Sequence, residues 1–171
     1  MAGLVIIQSG VTLFSFNRLA PYEGLDGYLP EMERTWRLFV GVAAPAQVRL
    51  IRLRYINRIL LPMTGGRVDL DRYLKLGPKP SDEDRLTLVG FLNQYSAVEA
   101  GTGHQVNVIL TAQAQENDNL PVILDIEAIN FGNAEPDDWT WIESKIQSLR
   151  RLKNHVFENS LTDQCLALFQ H

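Results

Sequence analysis

The sequence predicts an α+β fold: a single domain over residues 1–171, in which an antiparallel meander sheet of about four to six strands has amphipathic helices packed on one face. Several segments alternate apolar and polar residues and are joined by connections short enough for hairpins. Two other segments place their apolar residues at helical spacing. The 171 residues, 46% of them hydrophobic, are enough for one domain with a substantial core.

The first half of the chain predicts β-structure, then a helix, then a long strand. Within residues 4–18, side chains of the two faces of a strand alternate and Gly10 interrupts the segment, which indicates two short strands or one bent strand. Residues 25–40 carry a helical apolar stripe, with a proline near the start, where a helix tolerates it. Residues 48–61 alternate over a full strand, which Pro62 ends.

The second half predicts three further strands and a closing helix. Residues 86–99 are apolar enough for a central strand, residues 104–116 show the cleanest alternation, and residues 122–131 follow. Their hairpin-length connections predict antiparallel neighbours. After Pro136, apolar residues at helical spacing predict a helix that packs on the sheet. We expect its most buried residues to be Leu149, Leu152, Val156 and Phe157.

Charged residues in two predicted strands form the candidate site. Arg52, Arg54 and Arg58 are an even number of positions apart and therefore project from one side of a strand. Asp125 and Glu127 share a face of a later strand, and we expect all five residues on one sheet face with at least one cross-strand ion pair. The simpler interpretation is ion pairing on a solvated surface. The alternative is a ligand-binding site, because a row of arginines presents bidentate donors to phosphate or carboxylate groups.

Other kinds of site find little support in the sequence. No P-loop, nucleophile elbow or zinc-protease spacing occurs, so we predict no catalytic residue, metal or cofactor. Cys165 is the single cysteine and is predicted to be a small buried hydrophobe, and His104 is predicted to be a core-edge histidine rather than a base. A net charge of -4 and the lack of a nucleic-acid-binding motif argue against nucleic acid as a partner.

The length of the apolar runs and the charge of the first predicted strand indicate the cellular compartment and the kind of partner. The apolar runs are too short for a signal peptide or a membrane span, which predicts a cytoplasmic protein without a membrane partner. Residues 4–16 hold few charges that could protect an exposed strand edge. We therefore expect a homodimer, or a partner protein that pairs with an exposed strand edge. The alternative is a monomer whose loop at residues 77–84 shields that edge.

Several runs of the sequence together resemble a sporadically distributed bacterial family of conserved hypothetical proteins: RLRYINRI at 52–59, LDIE at 124–127 and FE at 157–158. The resemblance covers nearly the whole chain and implies that an N-terminal portion found in family members is missing here. It implies no assigned biochemical activity. The patchy distribution of the family is similar to that of toxin–antitoxin and phage-defence genes.

Two classes of function remain open. A non-enzymatic binding or regulatory module explains a charged sheet face that has no catalytic groups assembled on it. A ligand-binding protein or enzyme would instead hold a phosphate- or carboxylate-bearing small molecule on that face. The shape of the face discriminates between them: an open, flat face favours the binding module or a surface that is only solvated, and a cupped face under a helix favours the ligand.

Overall fold

A computed structural model describes residues 5–10, with the backbone alone, and residues 13–18, 24–79, 81–82, 85–86 and 88–169. The described elements confirm the α+β class. They are β1 (Val5–Gly10), β2 (Leu13–Arg18), α1 (Leu29–Ala43), β3 (Val48–Pro62), β4 (Leu92–Val98), β5 (Gln105–Ala112), β6 (Asn119–Ala134), α2 (Trp139–Ser160) and α3 (Asp163–Leu166).

The described strands form a two-stranded and a four-stranded antiparallel sheet. β1 pairs with β2, and the larger sheet has the order β3-β6-β5-β4. Its last three strands in sequence form the predicted meander, with Leu92 opposite Thr111 and Val106 opposite Ala128. β3 lies beside β6 rather than beside β4, so the sheet as a whole departs from a simple meander. The prediction of a central strand at residues 86–99 is wrong, because β4 lies at an edge of the sheet.

The chain divides into two compact units whose boundaries fall inside β3, β6 and α2. The first unit consists of Met1–Ile51 and Phe131–Lys145, and the second consists of Arg52–Asn130 and Ile146–His171. Among the described residues, no helix has the length and apolar composition that crossing a bilayer requires.

An aromatic cluster organises the first unit. The ring centroid of Phe14, on β2, lies 5.5 Å from those of Trp36 and Phe39, on α1. The indole N–H of Trp36 donates a hydrogen bond of 2.8 Å to the carbonyl oxygen of Pro136. Aromatic pairs of this geometry stabilise a fold beyond the area they bury. They join α1 to β2 and to the segment that precedes α2.

The core of the second unit lies between its sheet and α2. Leu149 and Leu152 of α2 are buried, as predicted. Val156 and Phe157 are only half-buried, so the prediction that they are among the most buried residues is wrong. Phe157 contacts the ring of Phe169 near the end of the chain, at 5.9 Å between centroids. The sheet contributes a continuous buried row: Val106, Val108, Leu110, Leu124, Ile126 and Ala128.

The segment after α2 is tied to the loop that follows β3. The backbone N–H of Thr162 donates to the carbonyl oxygen of Tyr73 at 3.1 Å, and Leu161 forms a bridge with Leu74. The Thr162 hydroxyl caps α3 by accepting from the backbone N–H of Cys165 at 3.2 Å. This arrangement leaves Cys165 fully buried, which confirms the prediction.

Candidate functional site

The five predicted residues lie on the surface of the larger sheet that faces away from α2. Lys153 of α2 lies over the ring of Tyr55, which projects from the other side of β3. Because side chains alternate along a strand, the arginines of β3 face the opposite way. We call the exposed surface the open face. Its members in β3 and β6 are Arg52, Arg54, Ile56, Arg58, Leu60, Asp125 and Glu127.

The central contact of the open face joins Arg54 to Asp125. The Nε atom of Arg54 lies 2.9 Å from Oδ1 and its Nη2 atom lies 2.5 Å from Oδ2, which is a bidentate pair. The hydrogen bonds that the Arg54 guanidinium donates to the Asp125 carboxylate raise the pKa of Arg54. The Asp125 side chain is 11% exposed and that of Arg54 is 56% exposed. A largely buried carboxylate is therefore neutralised by a half-exposed cation, and the predicted cross-strand ion pair is confirmed.

A second set of polar contacts crosses the sheet beside this pair. Arg52 lies 3.8 Å from the carboxylate of Glu127, which also accepts a hydrogen bond of 3.0 Å from the amide of Asn107 on β5. The amide oxygen of Asn107 in turn accepts from the Ser96 hydroxyl on β4 at 2.7 Å. Glu127 thus links side chains from all four strands of the larger sheet.

Arg58 pairs with a residue that the sequence analysis missed. Its guanidinium donates to the carboxylate of Glu116, which follows β5, and lies 3.4 Å from the amide oxygen of Gln113. By strand alternation Glu116 would face the other side, together with Leu110. Because β5 ends at Ala112, that alternation no longer holds at Glu116, and the side chain is free to turn toward Arg58.

The open face is balanced in charge and is accessible. Each of its three arginines pairs with one carboxylate, and the arginine side chains are between 42% and 59% exposed. Two aliphatic side chains, Ile56 and Leu60, lie exposed among the arginines, and Ile56 is 62% exposed. Within the second unit the open face is therefore a mixed charged and apolar surface rather than a cup under a helix.

The other polar candidates are structural. His104 is buried, with its Nε2 atom 3.0 Å from the Ser148 hydroxyl and its Nδ1 atom 3.3 Å from the amide of Asn130, which confirms a core histidine. The amide of Asn57 donates to the carbonyl oxygen of Leu124 at 3.1 Å, so it holds β3 to β6. Among the described residues, no group of three or more His, Cys, Asp or Glu side chains could hold a metal ion.

A cavity of about 520 Å³ lies elsewhere in the second unit. The five predicted site residues do not line it. Its wall mixes charged, polar and apolar side chains, and Lys79 and Asp71 form an ion pair of 2.5 Å there. Residues that line it include Met63, Arg67, Asp71, Lys79, Phe91 and Gln113.

Arg54→Ala is expected to lower the free energy of unfolding by about 1–3 kcal/mol, because it leaves the buried Asp125 carboxylate without its charged partner. Arg52→Ala is the matched control, and its looser pair is expected to contribute less than about 1 kcal/mol. Urea denaturation of the wild type, Arg54→Ala, Asp125→Ala and the double variant yields the coupling free energy. A coupling energy near zero would show that Arg54 and Asp125 form only a solvated surface contact.

Comparison of the chain with protein-family models, with curated proteins and with solved structures finds no match in any of the three. The family resemblance described above stays a prediction. The function is therefore inferred from the contacts of the described residues.

Proposed function

We propose that this chain is a non-enzymatic binding or regulatory module whose open face docks a protein partner. The observation that carries the proposal is the pairing of every arginine of that face with a carboxylate while the arginine side chains remain about half exposed. Such a surface is preorganised but has no uncompensated positive charge to offer an anion. Protein interfaces often combine arginine and apolar side chains in this way.

A phosphate- or carboxylate-bearing ligand is a less suitable occupant. To bind Arg54 bidentately, a ligand would have to displace the Asp125 carboxylate, whose side chain is only 11% exposed. The displaced carboxylate would then be buried without a partner, at a cost of about 1–3 kcal/mol, the same as that expected for Arg54→Ala. The exposed Ile56 contributes nothing to anion binding, whereas a protein partner would bury it.

We place this function in the cytoplasm, a reducing compartment in which a free, buried cysteine such as Cys165 stays reduced. A partner from a toxin–antitoxin or phage-defence locus is the kind that the family resemblance suggests. The proposal also includes association with a second chain through an exposed strand edge. The edge named in the sequence analysis, residues 4–16, lies in part outside the described residues.

Native mass spectrometry of the tagged protein purified from a host that carries its gene tests the proposal. We expect the wild type to carry a protein partner at a fixed mass increment and Ile56→Glu to lose it, because the added charge would be buried in the interface. Val42→Glu is the matched control, since Val42 is an exposed aliphatic residue of α1 in the first unit. We expect it to retain the partner.

Two outcomes would contradict the proposal. The first is a partner that is retained equally by Ile56→Glu and by Val42→Glu, which would place the interface elsewhere. The second is a small-molecule mass increment that disappears in Arg54→Gln, which would support the ligand-binding alternative on the same face.

A further inference from the structure

β4 is an edge strand of the larger sheet, and its outward backbone groups have no backbone hydrogen-bond partner among the residues that the structure describes. The backbone N–H of Glu99 donates to the carbonyl oxygen of His104 at 2.8 Å, and the backbone N–H of Ala112 donates to the carbonyl oxygen of Phe91 at 3.2 Å. Because hydrogen-bonded positions alternate in an antiparallel pair, the odd-numbered residues of β4 bond to β5. The even-numbered residues therefore point their N–H and C=O groups away from the sheet, and no backbone hydrogen bond to them is recorded among the described residues. They are Leu92, Gln94, Ser96 and Val98.

The composition of β4 is unusual for an exposed edge. Edge strands are commonly protected by charged side chains, by proline or by a bulge. The β4 sequence LNQYSAV contains no charged residue and no proline, and its pairing with β5 is regular from Leu92 to Val98. The opposite edge strand, β3, has arginines at alternating positions. From its sequence alone β4 is typical of a central strand, and it would become one if a further strand paired with it.

We propose that β4 pairs antiparallel with β4 of a second copy of this chain, about a twofold axis at Tyr95. This register places Leu92 opposite Val98 of the second copy and Gln94 opposite Ser96. All the outward N–H and C=O groups of these residues would then be hydrogen-bonded. The two four-stranded sheets would join into one continuous sheet. The inference deepens the self-association part of the proposed function and does not depend on the partner of the open face.

The side chains in this register are complementary to themselves. Leu92 and Val98 are 68% and 67% exposed in the single chain, and they would meet as directly opposed apolar pairs at both ends of the new strand pair. The middle pairs would join an amide to a hydroxyl, and no like charges would face each other. A twofold interface needs such a self-complementary patch, because each residue meets its counterpart in the other copy.

The pairing would also double the open face. Ser96 hydrogen-bonds to Asn107, which bonds to Glu127, so the even-numbered residues of β4 lie on the same side as the open face. Directly opposed residues in antiparallel strands point to the same side of the sheet. The open faces of the two copies would therefore lie on one side of the joined sheet, and a partner with two matching sites would bind with increased avidity.

Sedimentation equilibrium at micromolar concentration tests the pairing and its register. We expect the wild type to have twice the chain mass of 19.3 kDa. The double variant Gln94→Lys with Ser96→Lys would place lysine opposite lysine in the two middle pairs, so its mass should fall to that of one chain. The matched control, Gln94→Lys with Ser96→Glu, would place lysine opposite glutamate and should restore the dimer. Circular dichroism of each variant checks that the chain is folded.

The results separate this inference from the proposed function. Ile56→Glu should remain dimeric even where it loses the open-face partner, because Ile56 is not on β4. A wild-type mass of one chain throughout would overturn the pairing, and β4 would then be available to the strand of a different protein. A double-lysine variant that stays dimeric, or a lysine–glutamate variant that stays monomeric while folded, would overturn the register.

Discussion

Leu149→Ala is expected to lower the free energy of unfolding by about 3–5 kcal/mol, the range for truncation of a fully buried leucine. Leu149 is 0% exposed and lies in the part of α2 that packs on the buried row of the sheet. The remaining cavity would be lined by rigid sheet side chains that cannot collapse into it. Urea denaturation followed by far-ultraviolet circular dichroism measures the change.

Phe157→Ala is the matched control, because it truncates an apolar side chain of the same helix at a position that is less buried. Although it removes a larger side chain, Phe157 is only half-buried and contacts Phe169 rather than the buried row, so we expect a loss of about 1–2 kcal/mol. A larger loss for Phe157→Ala than for Leu149→Ala would mean that the end of α2, and not its middle, forms the main contact with the sheet.

Alkaline pH is expected to destabilise the protein through Cys165. Burial raises the pKa of the Cys165 thiol from its ordinary value of 9.0 to about 11. Well below pH 9 the thiol is protonated in both states and contributes no pH dependence. Between pH 9 and 11 the unfolded chain loses this proton while the folded chain keeps it, so stability falls as the pH rises, by up to about 3 kcal/mol.

The Cys165→Ala variant isolates this contribution, because it removes the titrating group and should flatten the dependence of unfolding free energy on pH between 9 and 11. Tyr95 adds a slope of the same sign at higher pH, since burial also raises the pKa of its phenol. In the native protein at pH 8, Cys165 should react with Ellman's reagent only as fast as the chain unfolds. Rapid labelling of the folded protein would contradict its burial.

Local sequence patterns account for much of the candidate site. The alternation of β3 places Arg52, Arg54 and Arg58 on one side whatever strand lies next to it, and the same holds for Asp125 and Glu127 on β6. Whether those two sides coincide depends on which strands are neighbours. The pairing of β3 with β6 brings them together, and the register determines that Arg54 meets Asp125.

The missed features depend on tertiary pairing rather than on local pattern. Alternation identifies the two faces of a strand but does not identify its neighbours. The apolar composition of β4 therefore led to the prediction of a central strand, although β4 lies at an edge of the sheet. The apolar stripe of α2 continues to Phe157, yet Leu149 and Leu152 are buried while Phe157 is only half-buried, a difference that a helical period alone does not show. Glu116 was missed because the strand ends before it.

The position of β3 beside β6 has a consequence during synthesis of the chain. Arg54 precedes its partner Asp125 by 71 positions, so at typical rates of translation the arginine leaves the ribosome on the order of 4–14 s earlier. During that interval β3 is a long, largely apolar segment without its neighbour, the kind of segment that aggregates in unfinished chains. Its arginines remain hydrated and positively charged until β6 emerges, and we expect them to keep nascent copies of β3 from pairing with one another.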